Sequence, residues 1–210
     1  MSGPCRACLR RTWLLTELSE HIARARERFG SLDSLLALDD RELVAALGGR
    51  RAGEIVAGWL EFDPEPARRR LRGAGMTAVC RHDRNRYPAV LGDIPDPPAV
   101  IHLAGTEELD PGPAAAVVGA RRATPYGLEV ARMLGRGLAA AGVTVVSGMA
   151  LGIDSAAHEG ALEAGGATLA VLAGGADVPY PPSKRRLHRR VLAAGYAVSE
   201  LPPGFRPATG

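Results

Sequence analysis

Three glycine-rich turns carry most of the polar residues that could do chemistry in this sequence. They occupy residues 119–124 after the apolar run AAAVV, residues 147–154 after VTVV, and residues 174–177 after LAVLA. Glycine lets the backbone turn tightly, and a helix that starts after such a turn offers free N–H groups and the positive end of its dipole. One turn alone is most often a plain connection between a strand and a helix. Three turns on one sheet edge, with Arg121 and Lys184 nearby, favour a phosphate-binding site.

The spacing within the first turn argues against two common nucleotide-binding motifs. Gly119 is followed by Ala120 and Arg121 rather than by a second glycine, so the G-x-G-x-x-G dinucleotide pattern is absent. The sequence has no G-x-x-x-x-G-K-[ST] segment either. We therefore expect no cofactor. The residues that we expect to contact a phosphate are Gly119, Arg121, Ser147, Gly148, Gly152 and Lys184.

Asp154 and His158 could form an acid–base pair, because residues four positions apart share one face of a helix. No nucleophile with a recognisable context accompanies them. Ser147 lacks a G-x-S-x-G elbow around it. An aspartate at this position more often caps or braces the start of a helix. We therefore expect a structural pair, no catalytic residue and no enzymatic activity.

Cys5 and Cys8 have the C-x-x-C spacing of zinc and redox sites. A closed zinc site needs four ligands, and Cys80, His82 and His21 are conceivable completions. The sequence has no second C-x-x-C. We expect a free or incidental cysteine pair and no metal. Three cysteines also give no disulfide framework.

A basic segment, KRRLHRRVLAAG, begins at Lys184 and predicts a helix. Leu187 and Val191 would face the sheet, which leaves the cations on the opposite side. Such a charged face is commonly just solvated. This helix follows the third turn, however, and cations along a groove suit a nucleic-acid backbone. The net charge of +3 is by itself too small to indicate a nucleic-acid partner.

Apolar strands alternate with helices from Ala114 onwards, which predicts an α/β fold with a Rossmann-like, doubly wound and mostly parallel sheet. The segment AAAVVGA is expected to be a buried strand, and YAVSE the last strand, with an uncovered edge. Residues 1–62 predict a small helical domain, residues 63–86 a linker and first strand, and residues 87–210 the Rossmann-like domain.

Within the helical domain, the segment LGGRRAGEIVAG faintly resembles a helix–hairpin–helix, although plain helix packing is the preferred interpretation. No apolar run is long enough to span a bilayer, and the N-terminus has no apolar signal core. We therefore expect a cytoplasmic protein with no membrane partner.

Five segments occur in an order that resembles the DNA-processing DprA/Smf family between Tyr87 and Gly204. They are YPAVLGDIPDPPAVIHLAG, VVGARRATPYG, VVSGMALGIDSAAHEGAL, TLAVLAGGADVPYPPSKRRL and AVSELPPG. The resemblance implies a Rossmann-like domain that binds and protects incoming single-stranded DNA, forms homodimers and loads the recombinase RecA in natural transformation. It also implies that Arg121 contacts DNA and that residues 147–154 line the same pocket. The family's basic residue after Tyr-Pro corresponds only loosely to Lys184, which is displaced by two positions.

Members of the family usually continue with an F-P-x-R-N-R segment, and their dimer and RecA contacts lie largely there. The sequence is therefore expected to be a C-terminally truncated member for which homodimer formation is doubtful. The alternative is a Rossmann-like nucleotide or nucleoside hydrolase of the lysine-decarboxylase-like group. Those enzymes carry a P-G-G-x-G-T-x-x-E turn, whereas residues 174–177 lack its Thr and Glu. A purely structural or interaction module is a third possibility.

Overall fold

The computed structural model describes residues 3–30, 32–106, 109–110 and 112–206. The chain divides into two compact units. Unit 1 comprises Met1–Arg69 and Val79–Val100, and unit 2 comprises Arg70–Ala78 and Ile101–Gly210. The last part of the C-terminal loop, residues 207–210, lies outside the described residues.

The first sixty residues form short helices, as their apolar periodicity predicts. These are α1 (Arg6–Glu17), α2 (Ser19–Phe29), α3 (Asp33–Leu36), α4 (Asp40–Leu47) and α5 (Ala52–Leu60). A short 3-10 turn joins α4 to α5. The core of this part of unit 1 consists of Leu14, Leu18, Leu43, Val44 and Ile55. Three short elements follow along the chain: α6 (Glu65–Gly73), β1 (Thr77–Cys80) and α7 (Ala89–Gly92).

Two neighbouring aspartates at the start of α4 have different roles. Asp39 caps the helix, because its carboxylate accepts hydrogen bonds from the backbone N–H groups of Arg41 and Glu42, at 2.8 and 2.9 Å. Glu42 accepts in return from the Asp39 N–H, which completes a capping box. Asp40 instead accepts from the Arg11 guanidinium at 2.9 Å and from the Trp59 indole N–H at 2.7 Å.

The remaining chain alternates strands and helices as predicted. The strands are β2 (Val100–Ala104), β3 (Ala114–Ala116), β4 (Thr144–Ser147), β5 (Thr168–Val171) and β6 (Tyr196–Ser199), and the helices are α8 (Pro125–Ala140), α9 (Ile153–Glu163) and α10 (Arg185–Ala194). The sheet has the order β1-β2-β6-β5-β4-β3. Strands β3, β4, β5 and β6 pair in parallel, and β2 pairs with β6 in the antiparallel sense. The predicted α/β, Rossmann-like and mostly parallel class is confirmed.

Two strand expectations are wrong. The segment AAAVVGA does not form a buried strand, because β3 has only three residues at the sheet edge and Ala114 and Ala116 are exposed. Strand β6 is not an uncovered edge, because it lies between β5 and β2. The antiparallel partner of β6 is β2, which precedes the parallel strands in the sequence. Apolar character along the chain does not reveal this strand order.

The helices of unit 2 pack closely through small residues. Ala157 and Ala161 of α9 pack with Val145 of β4 in one buried cluster. Where α8 crosses α9, a Cβ on Gly160 would collide with the backbone of Arg132, so the glycine allows the two helices to approach. Within the described ranges no helix is long and apolar enough to cross a membrane, and α8 has 16 residues.

Candidate anion-binding cleft

A cleft of about 260 Å³ opens in unit 2 where the turns after β3 and β4 meet helices α8 and α9. Its position beyond the ends of adjacent parallel strands is the usual ligand position in open α/β sheets. The lining residues are Arg121, Arg122, Ala123, Leu128, Arg132, Gly152, Ser155, Ala156, Glu159 and Lys184. Four of these residues are cationic and one is acidic.

Three of the lining cations have no acidic partner among the described residues. Arg121 and Arg122 are exposed and Lys184 is half-buried, and none of the three forms an ion pair with a described carboxylate. Cations that share a cleft with low-dielectric walls create a local positive potential and attract anions. The cleft therefore suits a phosphate or another oxyanion.

The fourth cation, Arg132, is already neutralised. Its guanidinium contacts the carboxylates of Glu159 at 2.6 Å and Glu163 at 3.3 Å. Arg136 also contacts Glu163 at 2.6 Å, and this hydrogen bond lowers the pKa of Glu163. These ion pairs join α8 to α9, and they occupy Glu159, the one acid among the lining residues.

Asp154 holds the first two glycine-rich turns together. Its buried carboxylate accepts from the Gly119 N–H at 3.3 Å through Oδ1 and from the Gly148 N–H at 3.2 Å through Oδ2. Asp154 does not cap its own helix as expected, because α9 has no side-chain cap hydrogen bond. Its carboxylate instead joins the two turns. The two glycine N–H groups that were expected to contact a phosphate are therefore engaged by a carboxylate of the chain itself.

Ser147 and Gly152 are placed differently from each other. Ser147 is buried, its hydroxyl donates to the Val117 carbonyl at 2.7 Å, and it is not among the residues that line the cleft. Gly152 lines the cleft with φ 84°, and a Cβ there would collide with the Ala120 carbonyl oxygen. That carbonyl also accepts from the Ile153 N–H at 3.3 Å. The conformation at residue 152 requires glycine.

The third turn does not contribute to the cleft, contrary to expectation. Gly175 donates its N–H to the Phe205 carbonyl at 2.8 Å, and Asp177 accepts from the Gly204 N–H at 2.9 Å. The Nε2 of buried His188 donates to the Ala176 carbonyl at 2.9 Å. The polar groups of this turn thus hold the loop that follows β6 and helix α10.

His158 is buried in the core and does not face the cleft. The Thr168 hydroxyl donates to the Val145 carbonyl at 2.8 Å, so the His158 Nδ1, 2.7 Å from the same oxygen, must donate to it. Burial lowers the pKa of His158 to about 4, although the Asp154 carboxylate acts in the opposite direction. The side chain is therefore neutral at pH 7, and both Asp154 and His158 form hydrogen bonds with other groups of the chain.

The basic helix meets the cleft only at its beginning. Lys184, the last residue of a 3-10 turn before α10, lines the cleft. Leu187 and Val191 are buried, as predicted. The remaining cations of α10 are exposed outside the lining set, and they are Arg185, Arg186, Arg189 and Arg190.

Sequence reasoning did not assign four polar lining residues to the site, namely Arg122, Arg132, Ser155 and Glu159. Helical spacing contained part of this information. Leu128 and Arg132 are four residues apart on α8, as Ser155 and Glu159 are on α9. The sequence did not show that α8 and α9 pack against each other, and this contact brings the two pairs together.

The fold and the cleft together define a Rossmann-like α/β protein with a cationic site at the ends of adjacent parallel strands. The sequence profile of the family described as DNA recombination-mediator protein A matches residues 78–210. The chain therefore belongs to this family of DNA-processing proteins, the DprA/Smf family.

Relatives from several bacteria support the assignment. A Mycobacterium tuberculosis protein that carries the DprA name is 41% identical over 211 residues, which cover 98% of this chain and 48% of that protein. Protein Smf from Synechocystis is 39% identical over 128 residues, covering 59% of this chain and 32% of that protein. The chain thus spans about half the length, or less, of these curated relatives.

The solved structures that match this chain also belong to the DprA/Smf family. The structure of DprA from Streptococcus pneumoniae matches with a TM-score of 0.69 and 26% identity, over 99% of this chain and 71% of that one. DprA from Helicobacter pylori, whose structure concerns its single-stranded DNA binding mode, matches with a TM-score of 0.56 and 29% identity over 64% of this chain and 60% of that one.

Proposed function

We propose that this chain binds single-stranded DNA by its phosphate backbone at the cleft lined by Arg121, Arg122 and Lys184. The observation that carries the proposal is the group of three cations without described acidic partners in one cleft. Arginine suits this role because its planar guanidinium can donate two hydrogen bonds to one phosphate. The single-stranded DNA binding mode of the Helicobacter pylori relative supports the choice of polymer.

Binding at this cleft has little sequence preference. None of the ten described residues that line it is aromatic, so it offers no platform on which bases can stack. Contacts to phosphate carry no direct sequence information. The affinity then comes mainly from charge and from release of counterions.

The proposal extends to protection of DNA, loading of RecA and homodimer formation, which the family resemblance implies. In natural transformation and recombination the protein would protect incoming single-stranded DNA and load RecA onto it, acting as a homodimer. The family description as a recombination mediator supports this extension. RecA filament formation on DNA coated with single-strand binding protein, measured with and without the chain, tests it separately from DNA binding.

The decisive experiment measures affinity for labelled single-stranded DNA over a salt series, with duplex DNA of the same sequence as control. If the three cations neutralise about three phosphates, the slope of log affinity against log salt should be about −2, from roughly −0.7 per phosphate. Arg121→Ala should make the slope shallower by about 0.7. Arg24→Ala removes the same charge from an exposed position on α2 and should leave the slope unchanged.

A flat salt response would contradict the proposal. It would indicate a pocket for a nucleobase and favour the hydrolase alternative. Equal or tighter binding of the duplex would contradict the choice of single strands while leaving the cationic cleft as the binding surface.

A further inference from the structure

Unit 1 contains a cluster of thiols that DNA binding does not use. The Sγ atoms of Cys5, Cys8 and Cys80 all lie within 4.8 Å of one another. The His82 Nδ1 lies 3.3 Å from the Cys5 Sγ and 3.5 Å from the Cys8 Sγ. All four residues belong to unit 1. The structure thus brings Cys80 and His82 to the cysteine pair that was expected to be incidental.

Two short segments place these four side chains. Cys5 is the N-cap residue of α1 and Cys8 lies in its first turn, so the C-x-x-C spacing directs both sulfurs to one side. Cys80 is the last residue of β1, and His82 follows in a turn held by the Asp83 N–H to Cys80 carbonyl bond at 2.8 Å. The pattern is therefore C-x-x-C followed by C-x-H.

Hydrogen bonds outside the cluster hold the N-terminal segment that carries Cys5. The Arg6 guanidinium donates to the Phe62 carbonyl at 3.0 and 3.1 Å, and the Arg68 guanidinium donates to the Pro4 carbonyl at 3.3 Å. These bonds flank Cys5 on both sides in the sequence. The position of Cys5 therefore does not depend on the thiol contacts alone.

The four side chains of the cluster differ in their exposure to solvent. Cys8 and Cys80 are 1% and 4% exposed, whereas Cys5 is half-buried and His82 is exposed. In a tetrahedral zinc site with zinc–sulfur bonds of about 2.3 Å, neighbouring sulfurs are roughly 3.8 Å apart. The observed separations are all within 4.8 Å, so a contraction of at most about 1 Å would reach this value.

We propose that Cys5, Cys8, Cys80 and His82 bind one zinc ion in a closed structural site. Three cysteines and one histidine are a known ligand set for structural zinc, which is four-coordinate and leaves no position for substrate. Thiolate ligands also disfavour magnesium and calcium, which prefer oxygen. The ion would link residues 77 positions apart in the sequence, and its binding energy would contribute to the folding of unit 1.

The first test is the zinc content of the full chain, purified under reducing conditions without added metal. We expect one zinc per chain by elemental mass spectrometry. Exchange for Co²⁺ should give the absorption bands of a tetrahedral ion with thiolate ligands, and a strong chelator should lower the melting temperature. These measurements need no variant, so they stand even if the substitutions impair folding.

The second test assigns the ligands. Cys8→Ser and Cys80→Ser should reduce the zinc content to background, and His82→Ala should reduce the zinc content and alter the Co²⁺ spectrum. His21→Ala is the matched control, because His21 is another histidine of unit 1 outside the cluster, and it should retain one zinc. Circular dichroism of each variant checks that its helices are intact.

Three results would overturn the proposal. The first is a purified chain without zinc in which three free thiols react. The second is a disulfide between any two of the cysteines, detected by intact mass, which would indicate redox chemistry. The third is zinc that remains in both cysteine variants, which would show an ion bound elsewhere.

Discussion

The first and third glycine-rich turns have similar positions, each between a strand of the sheet and a helix, but they differ in the groups that they leave available. Both follow apolar strands of one parallel sheet and both precede helices. The turn at residues 119–124 leaves the Arg121 and Arg122 guanidinium groups free of described acids. In the turn at residues 174–177, the Gly175 N–H and the Asp177 carboxylate hold the loop after β6, and the Ala176 carbonyl accepts from His188 of α10. The backbone of the first turn also has partners, because Asp154 accepts from the Gly119 N–H. The comparison teaches that a glycine-rich turn suits a ligand when it carries charged side chains that have no acidic partner among the described residues.

The largest effect should come from Asp154→Ala, because this substitution removes the brace beneath the first turn. The buried carboxylate accepts two backbone N–H bonds, and bonds to charged groups contribute roughly 1.5–3 kcal/mol each. The free energy of unfolding should fall by about 2–4 kcal/mol in denaturant titrations. Binding of single-stranded DNA should weaken as well. Unchanged stability would show that the two glycine amides find other partners.

Arg121→Ala should separate binding from stability. A charged hydrogen bond to phosphate is worth roughly 1.5–3 kcal/mol, so the affinity for single-stranded DNA should fall about 10- to 150-fold. The unfolding free energy should stay within about 0.5 kcal/mol, because the side chain is exposed. Arg189→Ala, on the exposed face of α10 outside the cleft, is the matched comparison. An equal loss in both variants would shift the site from the cleft to the basic helix.

Asp177→Ala should show the opposite behaviour to Arg121→Ala. Both of its carboxylate oxygens accept from the Gly204 N–H, at 2.9 and 3.0 Å. Loss of this contact should lower the unfolding free energy by about 1–2 kcal/mol and leave DNA affinity unchanged. A specific loss of DNA binding in a stable variant would return the third turn to the site.

Glu159→Gln should give the smallest change, in the direction of tighter binding. It removes the one acid among the described residues that line the cleft, and it frees Arg132 from one of its two described carboxylate partners. Ion pairs at this degree of exposure contribute about 0–1 kcal/mol. We expect the affinity for single-stranded DNA to rise about two- to fourfold, with the salt slope becoming slightly steeper. Weaker binding would mean that the Arg132–Glu159 pair shapes the cleft.

Much of the fold could be predicted from local pattern. Helices α8, α9 and α10 confirm the alternation of strands and helices that is predicted from Ala114 onwards, and the basic helix predicted from Lys184 begins one residue later, at Arg185. The buried face of α10, through Leu187 and Val191, also followed from periodicity. The strand order could not be predicted in this way, because apolar runs show that strands are buried but do not show which strands are neighbours.

The sequence by itself determined the elements, the family motifs and the basic residues Arg121 and Lys184 near the strand ends. Tertiary structure decided which polar groups remain available. Asp154 reaches Gly119 across 35 positions of the chain, and Cys5 meets His82 across 77. Hydrogen bonds and ligand sets depend on distances of a few ångströms between side chains, and chain separation does not predict these distances. The periodicity of a helix or strand determines on which face of that element a side chain lies. Packing between elements decides whether a charged side chain contacts a partner or solvent.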